Sequence, residues 1–193
     1  MQDMKLLSLL SERKTAILEK WFDKILETYP ADSANFLKTQ KNPFANPVGP
    51  TIFQGLEGLF EGILKGMDFD TAPAFLDSII RIRAVQDFTP SQAVSFVFLL
   101  KNVIREELGE GIKEHSVYTE LSDLESRIDS VALLSFDVYV KCREKIYEFK
   151  ASEIQKWTFR RLQRADRLCD SSKTEHDDMK FSSIDDTMKK RGN

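Results

Sequence analysis

The sequence predicts an all-α protein, a helical bundle that ends in one long helix. Apolar residues recur every three or four positions almost throughout. Alternation with period two is absent, and so are Asn-Gly and Asp-Gly turns, so no strand or hairpin is expected. From about Ser116 to Cys169 there is neither proline nor glycine, which predicts one very long helix or two collinear ones. With 193 residues, 41% of them hydrophobic and 31% charged, the chain holds enough apolar material for one packed domain with extensions.

The elements follow in order. Leu6, Leu7, Leu9 and Leu10 predict a short leading helix. Ile17, Leu18, Trp21, Phe22, Ile25 and Leu26, with charges between them, predict a second that ends before Pro30. Residues 31–50 hold Pro43, Pro47, Gly49 and Pro50 and read as a loop with one helical turn around Ala34 to Leu37. Thr51 to Lys65 restores the helical period, and Gly66 is its stop. Asp70 or Thr71 caps the next helix, with Pro73 in its first turn and Phe75, Leu76, Ile79, Ile80 and Ile82 as its apolar residues. Thr89, Pro90 and Gln92 form a capping-box signature for a helix that stops at Gly109. Val97 to Leu100 is apolar on all sides, so this helix is expected at the centre. The long helix carries Leu121, Leu124, Ile128, Val131, Leu134, Val138, Cys142, Ile146 and Phe149 at spacings of three and four. Residues 170–193 are polar and are expected to form a mobile tail.

Charge is uneven. Residues 1–140 carry a net charge of −7, residues 141–169 a net +5 and the tail a net −1. An acidic body therefore carries a basic helical arm. No apolar run approaches the roughly 18 residues of a membrane span. The N-terminus lacks the pattern of a secretory signal. Two cysteines suit a reducing, cytoplasmic setting.

These features exclude more chemistry than they supply. There is no nucleophile elbow and no glycine-rich phosphate loop. His115 and His176 lie outside any apolar helical face, so neither is expected to be catalytic. Haem needs a ligand on a core helix, and no histidine occurs before His115. Cys142 is the remaining candidate, and a packing cysteine is the plainer reading. No metal, cofactor or catalytic residue is expected. A small ligand, if there is one, is expected between the Pro43–Phe53 loop and the Phe96–Leu100 helix. Its candidate residues are Phe44, Pro47, Phe53, Arg83, Gln86, Phe96, Phe98 and Leu100. The plainer alternatives are a loop that only steers the chain, and an Arg83–Gln86 pair that only stabilises a helix end. In the arm, Trp157 and Phe159 lie two apart on different faces, which suggests burial on more than one side. A coiled-coil-like dimer contact suits the arm better than nucleic acid, with Leu134, Val138, Cys142, Ile146, Phe149 and Trp157 as its candidate residues.

Four segments carry a resemblance to a known family. They are residues 10–30 (Leu-Ser-Glu-Arg-Lys-Thr-Ala-Ile-Leu-Glu-Lys-Trp-Phe, ending Tyr-Pro), Asn-Pro-Phe-Ala-Asn-Pro-Val-Gly (42–49), Arg-Ala-Val-Gln-Asp-Phe-Thr-Pro-Ser-Gln-Ala (83–93) and the Phe-x-Phe-Leu-Leu-Lys helix (96–101). Residues 6–108 resemble the N-terminal domain of the RsbR/RsbRD proteins, the RsbT co-antagonists of the bacterial stressosome. Residues 136–148 resemble versions of this domain from anaerobic, sulfur-metabolising bacteria. The resemblance implies a globin-like sensory bundle that lacks haem and tends to dimerise. In stressosome proteins its last helix leads into a STAS domain that binds the switch kinase. Too few residues follow here for such a domain, so direct antagonism is in doubt.

The resulting expectation is a stand-alone, non-enzymatic, cytoplasmic sensory module. Residues 1–140 form the bundle, residues 116–169 the signalling and dimerisation helix (basic from 141), and residues 170–193 the tail. It dimerises and signals to a protein partner, with no nucleic acid bound and no membrane span. The alternatives are an adaptor subunit on a larger redox enzyme complex, or a haem or redox ligand-binding protein using Cys142.

Overall fold

A computed structural model describes residues 5–40, 42, 44–66, 72–86, 88–109 and 115–189, without the side chains of 72–74, 115–116 and 165–189. The expected roles of Pro43, Asp70, Thr71 and the side chains of Pro73, His115, Cys169 and His176 lie outside the described residues. Every element among the described residues is helical: α1 (Lys5–Glu12), α2 (Lys14–Leu26), α3 (Ala31–Thr39), α4 (Val48–Lys65), α5 (Ala72–Val85), α6 (Pro90–Leu108) and α7 (His115–Lys189). The all-α class is as the periodicity requires.

The chain divides into two compact units, residues 1–145 and 146–193. In the first, α4 pairs with α5, and α2 packs against both α4 and α6. Trp21 sits at the centre of this core. It is fully buried, its ring stacks on Phe96 at 6.3 Å, and its indole N–H donates to the Phe96 carbonyl at 2.7 Å. Gly55 lets α5 lie close, since a Cβ there would come within 2.8 Å of Ile79. The first part of α7 completes the core with Val117, Leu121, Leu124, Ile128, Val131 and Val138. Its charged face is tied to α6 by Arg105–Glu125 (2.6 Å) and Lys101–Asp129 (2.6 Å). Glu120 accepts from the Leu6 backbone N–H of α1 at 3.0 Å.

Three boundaries differ from those the sequence suggests. α3 is a nine-residue helix rather than a single turn. It buries none of its residues, so it leaves no apolar period to read. α4 starts at Val48, with Gly49 and Pro50 inside its first turn, where proline lacks no required hydrogen bond. α7 runs on to Lys189, through a polar segment that contains no proline or glycine to stop it. Within α6, Phe98 is half-exposed while Phe96, Val97 and Leu100 are buried, so this helix has an outer face.

Residues 44–49 form a clasp. The Asn46 side chain is 1% exposed. Its amide nitrogen donates to the carbonyls of Leu37 (2.9 Å) and Gln40 (3.0 Å) at the end of α3. Its oxygen accepts the Gly49 N–H (2.9 Å) in the first turn of α4. A Cβ at Gly49 would press within 2.7 Å of the Leu37 carbonyl and the Asn46 amide nitrogen, which explains the glycine.

The second unit, as far as side chains are described, is the helical segment from Ile146. Phe149 is 67% exposed and Trp157 56% exposed; Ile154, Phe159 and Leu162 are also exposed. The expected burial of Trp157 and Phe159 on more than one side is therefore absent in the single chain. Arg161 instead lies over the Trp157 ring at 4.1 Å.

Candidate functional site

The site is built around the turn between α5 and α6. α5 ends with Val85, and Arg83 falls in its last turn. α6 begins with the capping box that the sequence predicts: Thr89 accepts from the Gln92 N–H, and the Gln92 side chain accepts from the Thr89 N–H at 3.0 Å. The start of α6 is thus fixed, and Arg83 near the end of α5 reaches Thr28 just beyond α2.

Arg83 is 0% exposed. Its guanidinium lies 4.3 Å from the Phe88 ring centre, 5.5 Å from that of Tyr29 and 5.9 Å from that of Phe96. Such stacking offsets part of the cost of burying the charge. Nη2 donates to Thr28 Oγ1 at 3.0 Å and to the Gln92 carbonyl at 3.1 Å. Nε and Nη1 have no hydrogen-bond partner, and neither has the buried Tyr29 hydroxyl. Among the described residues no carboxylate is bonded to this guanidinium. Burial pushes the Arg83 pKa down, opposed by Tyr29, yet a guanidinium remains charged in a protein. Burial also pushes the Tyr29 phenol up, against the pull of the Arg83 charge, so Tyr29 stays protonated.

Beside this cluster lies a cleft of about 360 Å³. Tyr29, Pro30 and Phe88 supply its apolar wall; Thr28, Ser33, Gln86 and Gln92 supply polar groups. Tyr29 and Phe88 meet edge to face at 5.2 Å, so the two rings that flank Arg83 also line the cleft.

Two hydrogen bonds connect the same turn to α7 inside the first unit. The Tyr139 hydroxyl donates to the Phe88 carbonyl at 2.6 Å. Arg143 Nη1 donates to the Ala84 carbonyl at 2.9 Å. A shift of Phe88 or of the α5 end therefore changes two contacts of α7.

Of the ligand candidates read from the sequence, the structure brings together Arg83, Gln86 and Phe96. Phe44 is 98% exposed, Phe53 packs edge-on against Phe22 at 5.6 Å, and Leu100 is in the core. Of all these candidates only Gln86 is in the lining of this cleft; Arg83 and Phe96 belong to the neighbouring buried cluster, and Phe44, Pro47, Phe53, Phe98 and Leu100 do not line the cleft. Sequence reasoning missed Thr28, Tyr29, Ser33, Phe88 and Gln92. The Tyr-Pro and Asp-Phe-Thr-Pro segments contain two of them, Tyr29 and Phe88, but nothing in their spacing shows that they meet.

The helix candidates divide between the units. Leu134, Val138 and Cys142 line a cleft of about 380 Å³ in the first unit, together with Asp77, Asp137 and two lysines. Burial, then the Asp77 charge, raises the Cys142 pKa. That favours the neutral thiol, whereas nucleophilic and redox chemistry use the thiolate. Ile146, Phe149 and Trp157 belong to the second unit. Among the described residues, no three His, Cys, Asp or Glu side chains are grouped as a metal site needs, and no helix is long and apolar enough to cross a membrane.

Comparison with known proteins gives three findings. A family model described as the RsbT co-antagonist protein rsbRD N-terminal domain matches residues 15–154. A protein of Archaeoglobus fulgidus, described only as uncharacterized, is 24% identical over 138 residues, which is 71% of this chain and 82% of that one. No solved structure matches the chain.

Proposed function

Because this chain belongs to the RsbRD N-terminal domain family, we propose that it is a non-enzymatic sensory and regulatory module that dimerises and passes its signal to a protein partner through α7. Its bundle, globin-like in this reading, is the input side and α7 the output side. It works in the cytoplasm.

The observation that carries this reading is the pair of hydrogen bonds from Tyr139 and Arg143 of α7 to Phe88 and Ala84. They make the α5–α6 turn and α7 mechanically dependent on one another. An input that repositions the turn then shifts the balance between two packings of α7. The exposed Phe149, Trp157 and Leu162 support a docking role for the second unit, since a helix with such residues uncovered favours a partner surface. A second copy of the chain is the first occupant proposed for that surface.

The test is the oligomeric state of the full chain by sedimentation at micromolar concentration, beside the double variant Phe149→Glu, Trp157→Glu. The reading expects a dimer that becomes monomeric in the variant. A wild-type chain that stays monomeric at every concentration contradicts dimerisation. A dimer unaffected by both substitutions removes this surface from it.

A further inference from the structure

Among the described residues, two of the three Arg83 guanidinium nitrogens have no hydrogen-bond partner. A buried guanidinium normally finds a carboxylate or a full set of acceptors, because an uncompensated charge in the interior is costly. Here only Nη2 is engaged, by a hydroxyl and a carbonyl. The N–H groups of Nε and Nη1 are donors left over, and the Tyr29 hydroxyl, which interacts with the guanidinium, has no full hydrogen bond of its own. An arginine in the last turn of a helix commonly serves that helix's own end. Arg83 instead reaches to Thr28 and to Gln92. Three aromatic rings surround it, which lowers the local dielectric and strengthens any charge–charge contact made there.

The missing partner is an acceptor that carries negative charge. We infer that the cleft beside Tyr29 and Phe88 binds a small organic acid, whose carboxylate accepts hydrogen bonds from Arg83 and the Tyr29 hydroxyl. Arg83 supplies one positive charge beside the cleft, and among the described residues no lysine lines it, which matches a monocarboxylate better than a phosphate dianion. Tyr29, Pro30 and Phe88 suit an apolar body on the acid, and the volume of about 360 Å³ falls in the range of small-molecule sites. Since Phe88 lines the cleft and also stacks on Arg83, the incoming carboxylate displaces the Phe88 ring. The Phe88 carbonyl is held by Tyr139, so that displacement reaches α7. This inference rests on the sensory reading for its consequence, not for binding itself, and binding is measured separately from oligomeric state.

The test uses the full chain with arginine side-chain nitrogens labelled, followed by NMR at constant ionic strength. Sodium benzoate is the probe, benzamide the neutral match and sodium chloride the anion control. The expected result is one Nε–H signal, absent from Arg83→Gln, that moves saturably with benzoate. Benzamide should bind at least about ten-fold more weakly, one lost charge-assisted hydrogen bond. Tyr29→Phe, which keeps the ring, should weaken benzoate several-fold. Should Arg83→Gln fail to fold, thermal melting of the wild type decides: benzoate raises the midpoint and benzamide does not. Equal responses to benzoate and chloride, no saturable response, or full benzoate binding in Arg83→Gln would each overturn the inference and leave water as the partner of these donors.

Discussion

The Asn46 clasp and the Arg83 turn treat a buried polar side chain in opposite ways. Asn46 is 1% exposed, places both amide hydrogens on carbonyls of the α3 end, and accepts from Gly49 of α4. Arg83 is 0% exposed, yet its Nε and Nη1 donors are unmatched. Completed pairing makes a rigid joint; unmatched donors leave hydrogen-bonding capacity unused. The difference separates two segments that both supply ligand candidates in the sequence, one with its buried polar groups paired and one with donors to spare.

The largest effect should come from Asn46→Ala. It strips three hydrogen bonds and leaves buried carbonyls and an N–H unmatched, so it should cost about 2–4 kcal/mol in urea unfolding. A cost under about 1 kcal/mol would dissolve the contrast from the structural side. Tyr139→Phe should cost about 1 kcal/mol, one hydrogen bond, while leaving benzoate binding intact. Arg83→Met should change the stability of the ligand-free chain by less than about 1 kcal/mol in either direction. It loses two hydrogen bonds and ring stacking but also removes a poorly compensated buried charge. A penalty as large as that of Asn46→Ala would make Arg83 a core residue and erase the distinction. Trp157→Ala, at an exposed position, should shift the unfolding free energy of the dilute chain by less than about 0.5 kcal/mol.

Much of the fold is legible because it is written in local chemistry. The Thr89–Gln92 capping box and the left-handed Gly66 are both where the residue types require them. α3 is hard to read because it buries nothing, and periodicity reports only burial. The site is legible in part. Arg83 and Gln86 are visible as candidates near a helix end. Their meeting with Thr28 and Tyr29, some 55 residues earlier, depends on how α2 lies against α6, which no spacing encodes. That Arg83 keeps donors in surplus is a property of three-dimensional pairing alone.

The central claim is that the α5–α6 turn is an input site wired to α7. Amide hydrogen exchange, with and without benzoate, tests it most directly in the wild type and in Tyr139→Phe. Benzoate should slow exchange at residues 83–89 and also at 136–145 in the wild type. In Tyr139→Phe the first effect should persist and the second shrink. Protection confined to the turn in the wild type, or equal protection of α7 in both proteins, would contradict the claim.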